Sequence, residues 1–148
     1  MKLVRKLALM ALIGWMGSAM AADVGVTDSS VTLGMSSPFS GPNGAYGQDM
    51  KNVITAYFDQ INKAGGVNGR KIDLVALDDG YETDRTVANS KKLIDESKVF
   101  ALLQYYGSSP TTQAMNDVFG PAKVPLVGTI SGAGTLRQSV KDHPNNKY

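Results

Sequence analysis

The sequence predicts an α/β fold with a doubly wound parallel sheet. Short apolar runs alternate with segments of helical periodicity along the chain, without an internal repeat or a low-complexity linker. Loops rich in glycine and serine follow three of the apolar runs. Alternation of this kind is typical of a parallel sheet with helices on both faces.

Four apolar runs are predicted to be strands: residues 31–35, 72–77, 99–103 and 124–127. The second run is nearly all apolar, which is typical of a strand covered on both faces. Pro125 has no amide proton, so it should lie near the start of its strand or at an edge. We expect the flavodoxin-like order 2-1-3-4, with right-handed crossovers and a fifth strand beyond the end of this sequence.

Three helices are predicted between the strands. The first has an apolar face of Met50, Val53, Ile54, Tyr57, Phe58 and Ile61, with Tyr57 and Phe58 expected in the core, and it should end at Gly65-Gly66. The second should be capped by Thr83 or Asp84 and should turn Val87, Ala88 and Ile94 inward. The third should have Ser109 as its N-cap, Pro110 at its first position, and Ala114, Met115, Val118 and Phe119 on its buried face.

The N-terminus has the pattern of a secretory signal peptide. Three basic residues precede an apolar run of residues 7–16, and Ala19-Met20-Ala21 follows as a small-x-small cleavage site. The run is shorter than the roughly 20 apolar residues that span a membrane. We therefore expect residues 1–21 to be removed and the mature protein to be periplasmic. Cleavage would change the formal net charge from +2 to −1.

Composition excludes several classes of function. A charge near zero without a basic stripe argues against nucleic acid as a partner. The chain has no cysteine and one histidine, His143, which is expected in an exposed loop, so the usual zinc and redox sites are absent. No phosphate-binding glycine motif occurs, and no cofactor is predicted. An exported enzyme is disfavoured because the chain has no G-x-S-x-G elbow.

The candidate site lies at the carboxyl ends of the strands. Parallel sheets bind ligands there, at the point where strand order reverses, which is here between strands one and three. Ser108-Ser109-Pro110 places two hydroxyls and free amides at a helix start, an arrangement suited to a carboxylate. Plain N-capping by Ser109 is the alternative. Asp78, Asp79, Glu82 and Asp84 lack calcium-loop spacing and are interpreted as strand-end and helix-start charges.

Five segments together resemble the branched-chain amino-acid-binding proteins of bacterial ABC importers, which are type I periplasmic binding proteins. The segments are residues 40–47 (SGPNGAYG), 61–71 (INKAGGVNGRK), 78–89 (DDGYETDRTVAN), 106–110 (YGSSP) and 131–137 (SGAGTLR). The resemblance implies two lobes that close on a ligand. Residues 22–148 would then be a partial N-terminal lobe, truncated before the second lobe.

The resemblance also implies roles for individual residues. Ser108 and Ser109, with backbone amides, match the family's carboxylate grip. Ile130, Ser131, Gly132 and Ala133 match the loop that receives the ammonium group. Tyr46 matches an aromatic residue that packs on the ligand, and Tyr106 lies in the same loop cluster as Ser108. The implied partners are an amino acid or related small carboxylate and an inner-membrane ABC permease, with the protein acting as a monomer.

Two departures from the family pattern leave the ligand open. Amino-acid-binding relatives often have threonine where this chain has Gly132, and some have a disulfide where Tyr81 and Gly107 stand here. The ligand could therefore be another small carboxylate, including an aromatic one, given Tyr105 and Tyr106. A ligand-sensing domain of a periplasmic signalling system is a further alternative. A cytoplasmic regulator of the same architecture is excluded by the predicted signal peptide.

Overall fold

Four parallel strands form a single sheet in the computed structural model, which describes residues 23–148. The strands are β1 (Ser30–Ser37), β2 (Lys71–Asp78), β3 (Ala101–Leu103) and β4 (Leu126–Val127). Their order is β2-β1-β3-β4, which confirms the predicted doubly wound arrangement. The predicted signal peptide, residues 1–21, lies outside the described residues.

Strand β1 lies inside the sheet, between β2 and β3, and it pairs with β2 along its whole length. It pairs with β2 from Ser30–Lys71 to Ser37–Asp78, whereas it pairs with β3 only through Leu33–Ala101 and Gly34–Leu102. The strand order therefore reverses between β1 and β3, so their carboxyl ends border the crevice that binds ligands in such sheets.

Strands β3 and β4 are shorter than the apolar runs predicted. The hydrogen bonding nevertheless continues on the amino-terminal side, because the amide of Phe100 donates to Thr32 and that of Leu102 donates to Pro125. Pro125 directly precedes β4, which lies at the edge of the sheet, as predicted.

Three α-helices connect the strands: α1 (Gly44–Lys63), α2 (Thr83–Asp95) and α3 (Ser108–Ala114). A π-helical turn, Met115–Phe119, extends α3, and two 3₁₀ turns, Gly134–Arg137 and Pro144–Lys147, follow β4. Helix α1 ends before Gly65-Gly66, as predicted. Gly65 and Gly66 both have positive φ angles, and the amide of Gly66 donates to the carbonyl of Ile61. No helix among residues 23–148 is both long and apolar enough to cross a membrane.

The core lies where α2 and α3 pack together and against the sheet. The predicted buried face of α3 is confirmed for all four of its residues, and the ring of Phe119 packs edge-on against Tyr105 at 5.9 Å. In α2, Ala88 is exposed and Thr86, Ser90 and Leu93 are buried instead. The two polar residues tolerate burial because their hydroxyls donate to carbonyls one turn earlier.

Helix α1 departs most from the prediction. Val53 and Tyr57 are 69% and 60% exposed, and Phe58 is only half-buried, so the expectation that Tyr57 and Phe58 form core is wrong. Helix α1 packs against β2, and the sheet covers only part of its wide apolar stripe. The residues on the uncovered flank therefore remain in contact with solvent.

Candidate functional site

The loops after β3 and β4 are joined at the carboxyl edge of the sheet. Tyr106 and Ile130 form a parallel bridge, in which the amide of Gly107 donates to Ile130 at 3.0 Å and that of Ile130 donates to Tyr105 at 2.8 Å. These bonds extend the β3–β4 pairing past the two strands. They bring four predicted site residues together: Tyr106, Ser108, Ile130 and Ser131.

Ser108 and Ser131 form a hydroxyl pair across these two loops. Their Oγ atoms are 3.0 Å apart, and Ser131 Oγ also accepts a hydrogen bond from the Ala133 amide at 3.0 Å. Each hydroxyl has one proton, and the bond between them uses only one of the two. The remaining proton is available to an acceptor such as a carboxylate oxygen.

Arg137 braces the loop that carries Ser131. Its guanidinium donates to the carbonyl of Ser131 at 2.9 Å and to that of Ala133 at 3.0 Å. The Thr112 and Thr135 hydroxyls, 2.9 Å apart, link the same loop to α3. The sequence placed Arg137 in a family-like segment, but its bracing contacts could not be foreseen from that segment.

Three aromatic rings form what we call the tyrosine cluster: Tyr46 from the first turn of α1, Tyr81 from the loop after β2 and Tyr106 from the loop after β3. Tyr46 stacks on Tyr106 with ring centroids 5.8 Å apart and an interplanar angle of 15°. Tyr81 meets Tyr106 edge-on at 5.6 Å and 62°. Tyr46 and Tyr106 were predicted, whereas Tyr81 was noted only as a departure from the family.

Tyr105 does not belong to this cluster. Its side chain is fully buried, and its hydroxyl oxygen lies 2.9 Å from Ser90 Oγ, on the side of α2. Burial raises the pKa of the Tyr105 phenol, although the Ser90 hydrogen bond opposes the effect. Successive residues of an extended segment point to opposite faces, so Tyr105 enters the core when Tyr106 faces the site. Tyr105 therefore cannot support an aromatic ligand directly.

Ser109 does not cap α3, which corrects the prediction. The helix begins at Ser108, and the residue before it is Gly107, with φ 104° and ψ 156°. This glycine conformation starts the helix before Ser109, so Pro110 lies in the first turn, where its missing amide is tolerated. Helix α2 likewise begins at Thr83 after Glu82, with no side-chain capping bond from Thr83 or Asp84.

Ser109 and Gly132 lie at the margin of the site. Ser109 is exposed and, together with Ser108, lines an open cleft of about 410 Å³ between α3 and residues 133–135. Gly132 is exposed, and no atom lies within 4 Å of the place where a Cβ would stand. Packing therefore does not require glycine at position 132.

Asp79 is a buried anchor beneath the site. Its carboxylate accepts hydrogen bonds from the Ser36 hydroxyl at 2.8 Å and from the Tyr81 amide at 2.9 Å. Burial raises the pKa of Asp79, and these hydrogen bonds counteract only part of that rise. Asp79 thereby ties the end of β1 to the loop after β2.

Asp78 ties the same loops together closer to the surface. It accepts hydrogen bonds from the Ser40 hydroxyl, the Phe39 and Gly80 amides, and Arg85. Partial burial raises the pKa of Asp78, but the four donors outweigh it and hold that pKa well below its ordinary range. Both aspartates are thus structural, as the interpretation of strand-end charges predicted.

The side chains gathered at this edge of the sheet are mainly hydroxyls and aromatic rings. Among the described residues, no three His, Cys, Asp or Glu side chains lie close enough to hold a metal ion. His143 is exposed, as predicted, near the end of the described chain. The site therefore offers hydroxyl donors and aromatic surface, which are suited to holding a small organic acid.

Comparison with known proteins shows which family the chain resembles. The periplasmic binding protein family matches residues 30–146. The leucine-, isoleucine-, valine-, threonine- and alanine-binding protein of Pseudomonas aeruginosa is 31% identical over 118 residues, which are 80% of this chain and 30% of that protein.

Solved structures show the same relationship. A possible leucine/isoleucine/valine-binding protein from Rhodopirellula baltica matches with a TM-score of 0.70 and 33% identity, covering 80% of this chain and 31% of that one. A solute-binding protein of an ABC transporter from Rhodopseudomonas palustris, in complex with 3,4-dihydroxybenzoic acid, matches with a TM-score of 0.65 and 26% identity, covering 74% of this chain and 30% of that one.

The chain thus spans about 30% of the length of the relatives it matches. Its sheet corresponds to part of one lobe of these two-lobed proteins. The match covers most of the chain and includes every strand and the hydroxyl pair. The chain therefore belongs to the periplasmic binding protein family, type I, as the sequence resemblance predicted.

Proposed function

We propose that this chain is the ligand-binding face of the first lobe of a monomeric periplasmic receptor, which delivers an amino acid or a related small carboxylate to an inner-membrane ABC permease. The Ser108–Ser131 hydroxyl pair is the observation that carries the proposal. It lies beyond the carboxyl ends of β3 and β4, next to the switch point between β1 and β3 and to the tyrosine cluster. A polar donor next to apolar surface is the usual composition of a small-molecule site.

Each residue predicted for the site is assigned a contact with the ligand that its existing hydrogen bonds leave possible. Ser108 donates its hydroxyl proton to the ligand carboxylate while Ser131 holds it in place, and Ser109 contributes its amide. The amide and carbonyl of Ile130 already bond to Tyr105 and Gly107, so Ile130 offers its exposed apolar side chain. Gly132 offers a carbonyl to an ammonium group, and Tyr46 and Tyr106 cover the ligand.

Two kinds of ligand are compatible with this site. The relatives include proteins named for aliphatic amino acids and one solved with an aromatic acid. A carboxylate is common to both, which agrees with the hydroxyl pair as the shared anchor. We therefore place the ligand carboxylate at Ser108 and the rest of the ligand against the tyrosine cluster.

Export is part of the proposal. Residues 1–21 are proposed to be a signal peptide that is cleaved to leave Ala22 at the mature N-terminus. N-terminal sequencing of the protein from the periplasmic fraction should begin at Ala22, or at Asp23 if cleavage falls one residue later. Periplasmic protein that still begins at Met1 would contradict cleavage.

The binding role is tested by calorimetry on the natural full-length protein with leucine, isoleucine and benzoate as probes. At least one of these carboxylates should bind, and its amide derivative should bind much more weakly because the charge is lost. Failure of every probe to bind, or equal binding of acid and amide, would contradict the carboxylate role of Ser108.

A further inference from the structure

The backbone of Tyr81 is held in an unusual conformation. Its φ angle is +70°, in the left-handed region that residues other than glycine seldom adopt. The Tyr81 amide donates to the buried carboxylate of Asp79, which the Ser36 hydroxyl holds from the other side. Strained conformations persist where the surrounding structure overdetermines them, and they concentrate at ligand sites.

The ring of Tyr81 occupies the space beside Gly107. A Cβ placed on Gly107 would lie 2.5 Å from Cε2 of Tyr81, so any side chain there would force the ring to move. Gly107 immediately precedes Ser108, so the ring lies next to the residue that carries the proposed carboxylate donor. The missing side chain at Gly107 and the left-handed backbone at Tyr81 therefore both allow the Tyr81 ring to lie beside Ser108.

The tyrosine cluster exposes aromatic surface on both sides of Tyr106. Tyr46 is 62% exposed and Tyr81 is 41% exposed, although each packs against Tyr106. Their contacts with Tyr106 hold the three rings together in one aromatic surface. Such a surface favours another ring, because aromatic pairs gain attraction beyond that of simple area burial.

Two acidic residues close to Tyr81 in the sequence, Asp78 and Asp79, are already occupied by protein donors. Asp79 is fully buried and accepts from Ser36 and Tyr81, and Asp78 accepts from Ser40, Arg85 and two backbone amides. These two aspartates are thus committed to holding the loops. We therefore assign neither of them to an ammonium group of the ligand.

We infer that Tyr81 is a further ligand-contacting residue, positioned by Asp79 and Gly107, and that with Tyr46 and Tyr106 it selects a carboxylate bearing a planar aromatic ring over a branched aliphatic one. This inference rests on the proposed function, since the ring must be presented by a ligand anchored at Ser108.

The test is calorimetric titration of the natural full-length protein with benzoate, 4-hydroxybenzoate and leucine. The wild-type protein should bind at least one of the two benzoates more tightly than leucine. Tyr81→Leu should weaken that binding about three- to tenfold, the range expected for the loss of one aromatic pair. Tyr81→Phe is the matched control, because it retains the ring, and it should bind the same probe within about twofold.

Both variants keep a residue without β-branching at the strained position, and melting curves report whether they fold alike. Gly107→Ala is a second variant, because its Cβ must displace the Tyr81 ring. Its positive φ angle also strains an alanine beside Ser108, so the measure is the ratio of the two affinities: benzoate affinity should fall more than leucine affinity. Tighter binding of leucine than of either benzoate, or equal binding by Tyr81→Leu and wild type, would overturn the inference while leaving the receptor proposal standing. Failure of all three probes to bind would contradict both.

Discussion

The hydroxyl oxygens of Ser108 and Ser131 lie 3.0 Å apart, so a hydrogen bond joins the start of α3 to the loop after β4. Ser131 accepts in addition from the Ala133 amide, and its own carbonyl is held by Arg137. Ser131 is thus fixed by its own loop, and the pair presents one free hydroxyl proton at the crevice. A donor fixed in this way loses little conformational freedom when it binds a ligand.

Ser108→Ala removes this donor. A hydrogen bond to a charged group contributes about 1.5–3 kcal/mol, so affinity for the carboxylate probe that binds should fall about 10- to 150-fold. The lost bond to Ser131 should lower the free energy of unfolding by about 1 kcal/mol. Calorimetry and urea unfolding measure the two effects separately. An affinity that falls no more than the stability change explains would mean that the serine pair is only structural.

Thr111→Val is the matched control for Ser108→Ala, on the same helix. Among the residues that the structure describes, the Thr111 hydroxyl is buried with no hydrogen-bond partner. Valine has nearly the same shape and no polar group, so the variant avoids the cost of an unsatisfied hydroxyl, about 1–3 kcal/mol. The melting temperature should rise, and the affinity for the same probe should not change. A clear loss of stability would show that the hydroxyl does have a partner.

The neighbouring tyrosines Tyr105 and Tyr106 should respond differently to substitution. Tyr105→Phe removes the hydroxyl that bonds to Ser90, and it should cost about 0.5–1.5 kcal/mol of stability without weakening ligand binding. Tyr106→Leu removes the central ring of the tyrosine cluster, and it should weaken binding more than it lowers stability. Urea unfolding and calorimetry on both variants check this. The reverse pattern would show that Tyr105, rather than Tyr106, faces the ligand.

Asp78 should make stability depend on pH. Its folded-state pKa is below the ordinary value of 3.8, so ionised Asp78 stabilises the fold above that pH, and the contribution is lost as pH falls through the lowered pKa. Asp78→Asn should therefore be less stable than wild type near neutral pH, by about 1–2 kcal/mol. The difference should shrink as the pH falls below 3.8.

Urea unfolding of wild type and Asp78→Asn at several pH values measures this difference. Asp73→Asn is the control, because Asp73 is an exposed aspartate at the start of the same strand. The control should differ little from wild type at any pH. A difference for Asp78→Asn that does not change with pH would show that the charge of Asp78 is irrelevant to stability.

The buried face of α3 was predictable because its periodicity is local in the sequence. The strand order was predictable because alternating strands and helices favour a doubly wound parallel sheet. The caps were not predictable in the same way. Ser109 has the residue type of an N-cap, but α3 begins one residue earlier, directly after Gly107. The amide of Gly107 donates to the carbonyl of Ile130 on another loop, a contact that the local sequence does not show. Tyr57 was misassigned because helical periodicity identifies an apolar face without showing how much of it the sheet covers.

For the candidate site, the location was predictable and the side-chain contacts were not. Glycine- and serine-rich loops after β1, β3 and β4 predicted its location, because parallel strands bring their carboxyl ends to one edge. Which of Tyr105 and Tyr106 joins the tyrosine cluster depended on which face of the sheet each side chain points to after β3. The contact between Tyr81 and Tyr106 was not predicted, because the orientation of Tyr81 depends on the buried Asp79 carboxylate, which accepts from the Tyr81 amide and the Ser36 hydroxyl.

The sequence by itself determined the α/β class, the strand order and the edge of the sheet where the candidate site lies. Periodicity and breakers act over short stretches of chain, and the alternation of strands with helices restricts how the strands can be ordered. Only the tertiary structure decided which side chains meet at that edge. The Ser108–Ser131 pair spans 23 positions and the Ser36–Asp79 pair spans 43, so each depends on how distant loops pack once the sheet has formed. Such contacts arise from the geometry of the folded chain, which local patterns do not encode.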